Sequence, residues 1–230
     1  SMATAQWLPS MASASERPWR QHIGSKTIAE GDWNKLMYNL SLAFAGTGQP
    51  IPGNGDVTIW YTEDGFQSTV PAAKGASYSG TENVVTLPED AGGDASPTPA
   101  EDSPAPDQAT QIRDAVALAR CQPYVAAFLN FLAVDEIPLA GWQSGPLYPD
   151  GMRKASYAAF ASAFSSPVDC AALKGGPPSA DYLPPSAPTA LTAATSVSPL
   201  RVELTWAAST DAGGGSLTYW IYRNGTRIAT

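Results

Sequence analysis

Metal-binding and redox-active residues are scarce in this chain: two cysteines, Cys121 and Cys170, and one histidine, His22, among 230 residues. So short an inventory excludes a scaffold built on disulfides and argues against a zinc or other metal site. No cofactor is expected. Positive charge is also short, with 13 Lys and Arg against 21 Asp and Glu, a formal net charge of -8 and a pI near 4.5. A surface of that sign repels phosphates, which excludes nucleic acid and an anionic membrane surface as partners. No apolar run reaches the roughly 18 residues that a membrane span needs. No signal peptide is visible either, so a soluble chain that begins after any export signal is expected.

The length leaves room for one full-size domain and a smaller one. The first clear element runs from Asp32 to about Phe44, with Trp33, Leu36, Met37, Leu40 and Phe44 at helical spacing, Asp32 placed to cap its start and Gly46 to end it. A Gly- and Pro-rich loop follows, and then a short apolar strand from Val57 to Glu63. Residues 66–107 lack a regular period. Within them 87–107 carry Glu89, Asp90, Asp94, Glu101, Asp102 and Asp107 with no Lys or Arg, a composition that fits a mobile acidic insertion. Gln108 to Arg120 reads as a helix stopped by Pro123, Val125 to Leu132 as a second buried strand interrupted by Asn130, and Gly151 to Ser165 as a third helix. Helix, strand, insertion, helix, strand, loop, helix is the rhythm of parallel strands joined by helical crossovers. A fainter strand candidate, Met2 to Leu8, would precede them.

The most informative stretch is Ile59-Trp60-Tyr61-Thr62-Glu63-Asp64-Gly65-Phe66. A strand covered on both faces reads as a run of β-branched and aromatic residues, and it carries a Glu only for a reason. At the C-terminal end of a β/α-barrel strand that reason is usually chemistry. The alternative is a strand-end carboxylate that caps the turn or pairs with a basic residue. By strand alternation Tyr61 shares the face of Glu63 and could hold it by a hydrogen bond, while Trp60 should face the helices. Core packing is the default for both.

Several runs carry a resemblance: Asp32-Trp33-Asn34-Lys35-Leu36, Ala43-Phe44-Ala45-Gly46-Thr47-Gly48-Gln49-Pro50, Ile59 to Gln67, Ala119-Arg120-Cys121-Gln122-Pro123, Asp135-Glu136, Trp142-Gln143-Ser144-Gly145 and Lys154-Ala155-Ser156-Tyr157. Over about residues 1–170 the chain resembles the C-terminal portion of bacterial glycoside-hydrolase-like TIM barrels of the retaining (β/α)8 clan. The resemblance implies that Glu63 is the nucleophile at the end of strand seven. It also implies that the general acid/base, a Glu after an Asn at the end of strand four, lies before residue 1. It makes Trp142 an aromatic platform for a sugar ring, for which an indole face is suited; a loop anchor is the alternative. Glu136 and Asp135 could bind sugar hydroxyls or be solvated loop charges, and Gln67 and Gln143 are polar groups that could reach a ligand. His22, flanked by Pro and Ser, reads as a surface loop residue. Neighbouring outer helices could bring Cys121 and Cys170 within disulfide reach, as befits a secreted hydrolase; two separate buried thiols are the alternative.

Beyond residue 173 the composition changes. Residues 174–188 read as a Pro/Gly-rich linker, and 189–230 alternate as strands at Thr189 to Ala193, Arg201 to Trp206 and Leu217 to Tyr222, with turns at Gly213-Gly214-Gly215 and Asn224-Gly225. This part resembles the first half of a fibronectin type III module, in which Trp206 and Tyr219 would be core residues. The expected fold class is therefore α/β, a partial TIM barrel over 1–173 followed by a partial all-β sandwich. Two functions remain open. One is the C-terminal part of a secreted glycoside hydrolase acting on a poly- or oligosaccharide, which needs the missing barrel strands from the rest of a parent or from a complementing chain. The other is a non-catalytic carbohydrate-binding or cell-surface protein on the same barrel.

Overall fold

A computed structural model describes residues 16–22, 26–53, 56–92, 104–173, 185–197, 200–210 and 217–229. The fold is mixed α/β with small sheets and few helices. The expected strand over Met2 to Leu8, the Gly213-Gly214-Gly215 turn, residues 93–103 of the insertion and 174–184 of the linker lie outside the described residues.

Helix α1, Trp33–Phe44, forms where apolar residues recur every three or four positions, and it buries Trp33, Leu36 and Met37. It ends where Gly46 takes a positive φ of 71°, a conformation that costs glycine little. Asp32 stands at its N-cap position but makes no side-chain cap bond. A 3-10 turn, Glu30–Asp32, intervenes, and the Asp32 carboxylate is instead taken by the amides of Ala29 and His22. Strand β1, Ile59–Asp64, pairs in parallel with β2, Val125–Asn130. Helix α2, Gln108–Cys121, lies between them in sequence, as a parallel connection requires. Asp107 caps it by accepting from Thr110 N at 2.7 Å, and accepts from Ala91 N at 2.8 Å as well. The edges of the expected mobile insertion are thus pinned to the body.

One apolar cluster joins Trp33, Leu36 and Met37 of α1 to Ile59 and Tyr61 of β1 and Ala119 of α2. A second joins Ala109, Ile112 and Val116 of α2 to Ala159, Phe160 and Ala163 of α3, Tyr157–Ala163, with Phe128 touching both. Fully burying a Leu, Met, Ile, Val or Phe side chain such as those in the two clusters contributes about 1.5–3 kcal/mol. The helix expected over Gly151 to Ser165 is shorter than its apolar pattern. Gly151 adopts φ 78°, Arg153 bridges back to Leu147, and Lys154 is drawn into a buried ion pair, so the helix starts only at Tyr157.

The two strands are not covered on both faces, contrary to their reading as doubly buried. Trp60 is 37% exposed and Leu129 44%. Tyr61 turns toward the helices and Trp60 away, which reverses the expectation for that pair.

Among the described residues beyond 184, two antiparallel strand pairs form. Strand β3, Thr189–Val197, pairs with β4, Leu200–Ala207, and β5, Ile221–Arg223, pairs with β6, Thr226–Ala229. Asn224 and Gly225 both take positive φ, 50° and 79°, the twist a two-residue hairpin turn demands. The Trp206 and Tyr219 rings lie 5.2 Å apart, and the Tyr219 hydroxyl accepts from Ser209 N.

Candidate active site at the strand ends

The end of β1 is shaped by a bulge. Tyr61 pairs with Phe128 and Asp64 with Asn130, so Thr62 and Glu63 together oppose Leu129. The extra residue bends the strand and re-aims its side chains. Tyr61 and Asp64 therefore both belong to the helix side, and Glu63 is left in the bulge with Thr62. This corrects the expected support of Glu63 by Tyr61. The Tyr61 hydroxyl donates to Gln122 Oε1 at 2.6 Å, and Gln122 Nε2 donates to Glu30 O at 2.7 Å. Glu63 is half-buried, and among the described residues its carboxylate takes no hydrogen bond or ion pair, which leaves both oxygens available.

Behind the strand lies an acidic cluster that sequence reasoning missed. Burial pushes the Asp64 carboxyl up to about 7. Glu30 is raised well above the usual carboxylate range, first by burial and then by the charges of Asp64 and Asp114, a rise that the Ala119 backbone amide opposes without making a well-formed hydrogen bond to either oxygen. Tyr61 is raised by burial and then by Glu30 and Asp64. The signal was the second carboxylate in Glu63-Asp64, which strand alternation alone cannot assign to a face.

The loop after β2 is tied to the same end. Asn130 Nδ2 donates to Leu132 O at 2.9 Å and Ser144 O at 3.1 Å, while Ser144 Oγ donates to Phe131 O at 2.6 Å. Phe131 N reaches back to Asp64 O at 2.6 Å. A side chain on Gly65 would press on Ser144 Cβ at 3.0 Å, so glycine there lets the two loops close on each other. Trp142 is half-buried, its ring edge-on to Phe131 with centroids 5.6 Å apart.

Glu136 is exposed but turned onto its own loop. Its amide donates to Trp142 O at 2.9 Å, and its Oε2 accepts from Trp142 N at 2.9 Å. Any Cβ at Gly141 would collide with that carboxylate. Gln67 and Gln143 are buried and bonded to each other, Gln67 Nε2 donating to Gln143 Oε1 at 2.6 Å and Gln143 N donating to Gln67 Oε1 at 2.9 Å. Their remaining donors go to Gly141 O, Glu136 O and Pro138 O. The two glutamines expected to reach a ligand instead fasten the Trp142 loop, because each finds complementary amide partners inside.

Asp135 is not the solvated loop charge that the sequence allowed. It is buried against Lys154 at 2.7 Å, and it accepts from the Tyr78 hydroxyl at 2.6 Å and from Gly145 N at 3.0 Å. Lys154 also donates to Ser68 Oγ and Gln143 O, both at 2.8 Å. Burial raises Asp135 and lowers Lys154, and their mutual attraction opposes both changes. Burial and the neighbouring carboxylates raise Tyr78 and Tyr148, the latter donating to both Glu89 oxygens at 2.7 and 2.9 Å.

Cys121 at the end of α2 and Cys170 are joined as a disulfide, with Cα atoms 5.4 Å apart. Among the described residues no group of three His, Cys, Asp or Glu is arranged to hold a metal ion, and no helix is long and apolar enough to cross a membrane. No protein-family model, curated protein or solved structure matches the chain.

Proposed function

We propose that this chain is the C-terminal part of a secreted retaining glycoside hydrolase, with Glu63 as its nucleophile. The observation that carries the reading is an unshared carboxylate in a bulge at the C-terminal end of a parallel strand, beside a loop that holds an aromatic side chain in a fixed pose. Retaining hydrolysis needs two carboxyl groups about 5–5.5 Å apart, one attacking the anomeric carbon and one protonating the leaving oxygen. Glu63 supplies the first. The second comes from a strand of a longer parent, as do the barrel strands that cover Trp60 and Leu129, since parallel sheets are normally covered on both faces. Trp142 offers its indole to the sugar, and Glu136, Gln67 and Gln143 act by holding the Trp142 loop rather than by touching substrate. The fibronectin type III-like hairpins serve as a spacer. The disulfide supports an extracellular setting.

The test is hydrolysis of a panel of aryl glycosides by the full-length parent and its Glu63→Gln variant. Release by the parent and loss in a folded variant are expected. Sugar binding without turnover in both would favour the non-catalytic carbohydrate-binding reading.

A further inference from the structure

His22 is not a free surface residue: its side chain is 16% exposed and lies between two carboxylates. Nδ1 is 2.7 Å from Asp32 Oδ2, and Nε2 is 3.1 Å from Glu16 Oε1. A carboxylate only accepts hydrogen bonds, and a neutral imidazole has a single N–H to donate. Satisfying both contacts therefore requires the imidazolium. From this we infer that His22 is a proton-operated latch fastening residues 16–22 to the start of α1, closed when both ring nitrogens carry a proton and loosened when one is lost.

The surroundings fit a switch rather than a permanent bond. Glu16 is shared with Arg20 Nε at 3.0 Å, so it retains a cation when the ring becomes neutral. Asp32 keeps the amide of Ala29 at 2.9 Å, so it too is not stranded when its contacts to His22 loosen. Lys35 donates to His22 O at 3.0 Å from α1 and holds the backbone in either state. On the far side of the segment Arg17 pairs with Asp114 at 3.3 Å, and Gln111 Nε2 donates to Glu16 O at 3.1 Å, both on α2. Deprotonation thus loosens a clasp whose hinges stay attached. The charged groups facing the ring are Glu16 and Arg20 from its own segment, Asp32 from the 3-10 turn and Lys35 from α1.

Since His22 is the only histidine, its ring can be read without ambiguity in the full chain. Long-range nitrogen–proton NMR would count ring protons between about pH 5 and about pH 8, the span in which an ordinary imidazole changes charge. Hydrogen exchange, corrected for its intrinsic pH dependence, would follow the His22 amide alongside amides of α2. Two ring protons at the acid end are expected. Loss of one should come with about a tenfold or larger fall in His22 amide protection, while α2 is unchanged. In His22→Gln, the amide protection should be low and independent of pH. The inference is overturned by a single ring proton at the acid end, by a ring that keeps both protons throughout, or by loss of a proton with protection unchanged.

Discussion

Asp64, half-buried, and Asp135, buried, both lie near the ends of the paired strands, and their surroundings differ in kind. Asp135 has a cation, a phenol and a backbone amide aimed at it. Asp64 has another carboxyl, Glu30, whose oxygens themselves take no well-formed hydrogen bond. In the first cluster the attraction between the paired charges opposes what burial does to each, whereas nothing opposes burial at Asp64, whose carboxyl is pushed up to about 7. Burial alone therefore does not decide whether a carboxylate stays charged; the neighbouring groups do. At this site the paired cluster anchors the loop that carries Trp142, and the cluster without a cation lies behind the strand that carries Glu63.

Lys154→Met is the harshest way to break the comparison, because it turns Asp135 into a buried charge without a counter-ion. A loss of about 3–5 kcal/mol in urea unfolding is expected. Replacing both partners with apolar residues should return much of it. Asp64→Asn probes the other side. The Asp64 value is raised in the folded state, so its contribution is fully present below the usual 3.8 and is lost as pH rises through about 7. Stability of the unaltered chain should fall between about pH 4 and pH 7 by an amount on the order of 2–4 kcal/mol, and the variant should flatten that slope. An unchanged slope would mean that Asp64 stays ionised. Glu136→Gln is the mildest, since the amide can still accept from Trp142 N; stability should change by about 1 kcal/mol or less. Tryptophan fluorescence would show whether the Trp142 pose survives.

Helices α1 and α2 were legible because their apolar spacing is local and their stops, Gly46 and Pro123, stand beside them in the sequence. Strands β1 and β2 were legible by composition, but not which face each residue takes. The bulge at Thr62 and Glu63 is a property of pairing with residues more than sixty positions away, and no pattern within β1 announces it. The same distance hides the roles of the glutamines, for Gln67 meets its partner 76 residues on. His22 was misread for a gentler version of this reason: its partners lie 6 and 10 residues off, too far for a helical or turn rule and close enough for the chain to fold back on itself. Helix α3 fell short of its apolar pattern because Lys154 found a stronger partner in Asp135 than helix extension offers.

The most direct test of the proposed nucleophile is an attempt to trap a glycosyl-enzyme. The full-length parent would be incubated with a 2-deoxy-2-fluoro glycoside bearing a good leaving group, digested and mapped by mass spectrometry. The account predicts one added fluoroglycosyl group on the peptide containing Glu63, absent from Glu63→Gln. A label on another carboxylate, or hydrolysis of natural substrate that survives loss of Glu63, would contradict it.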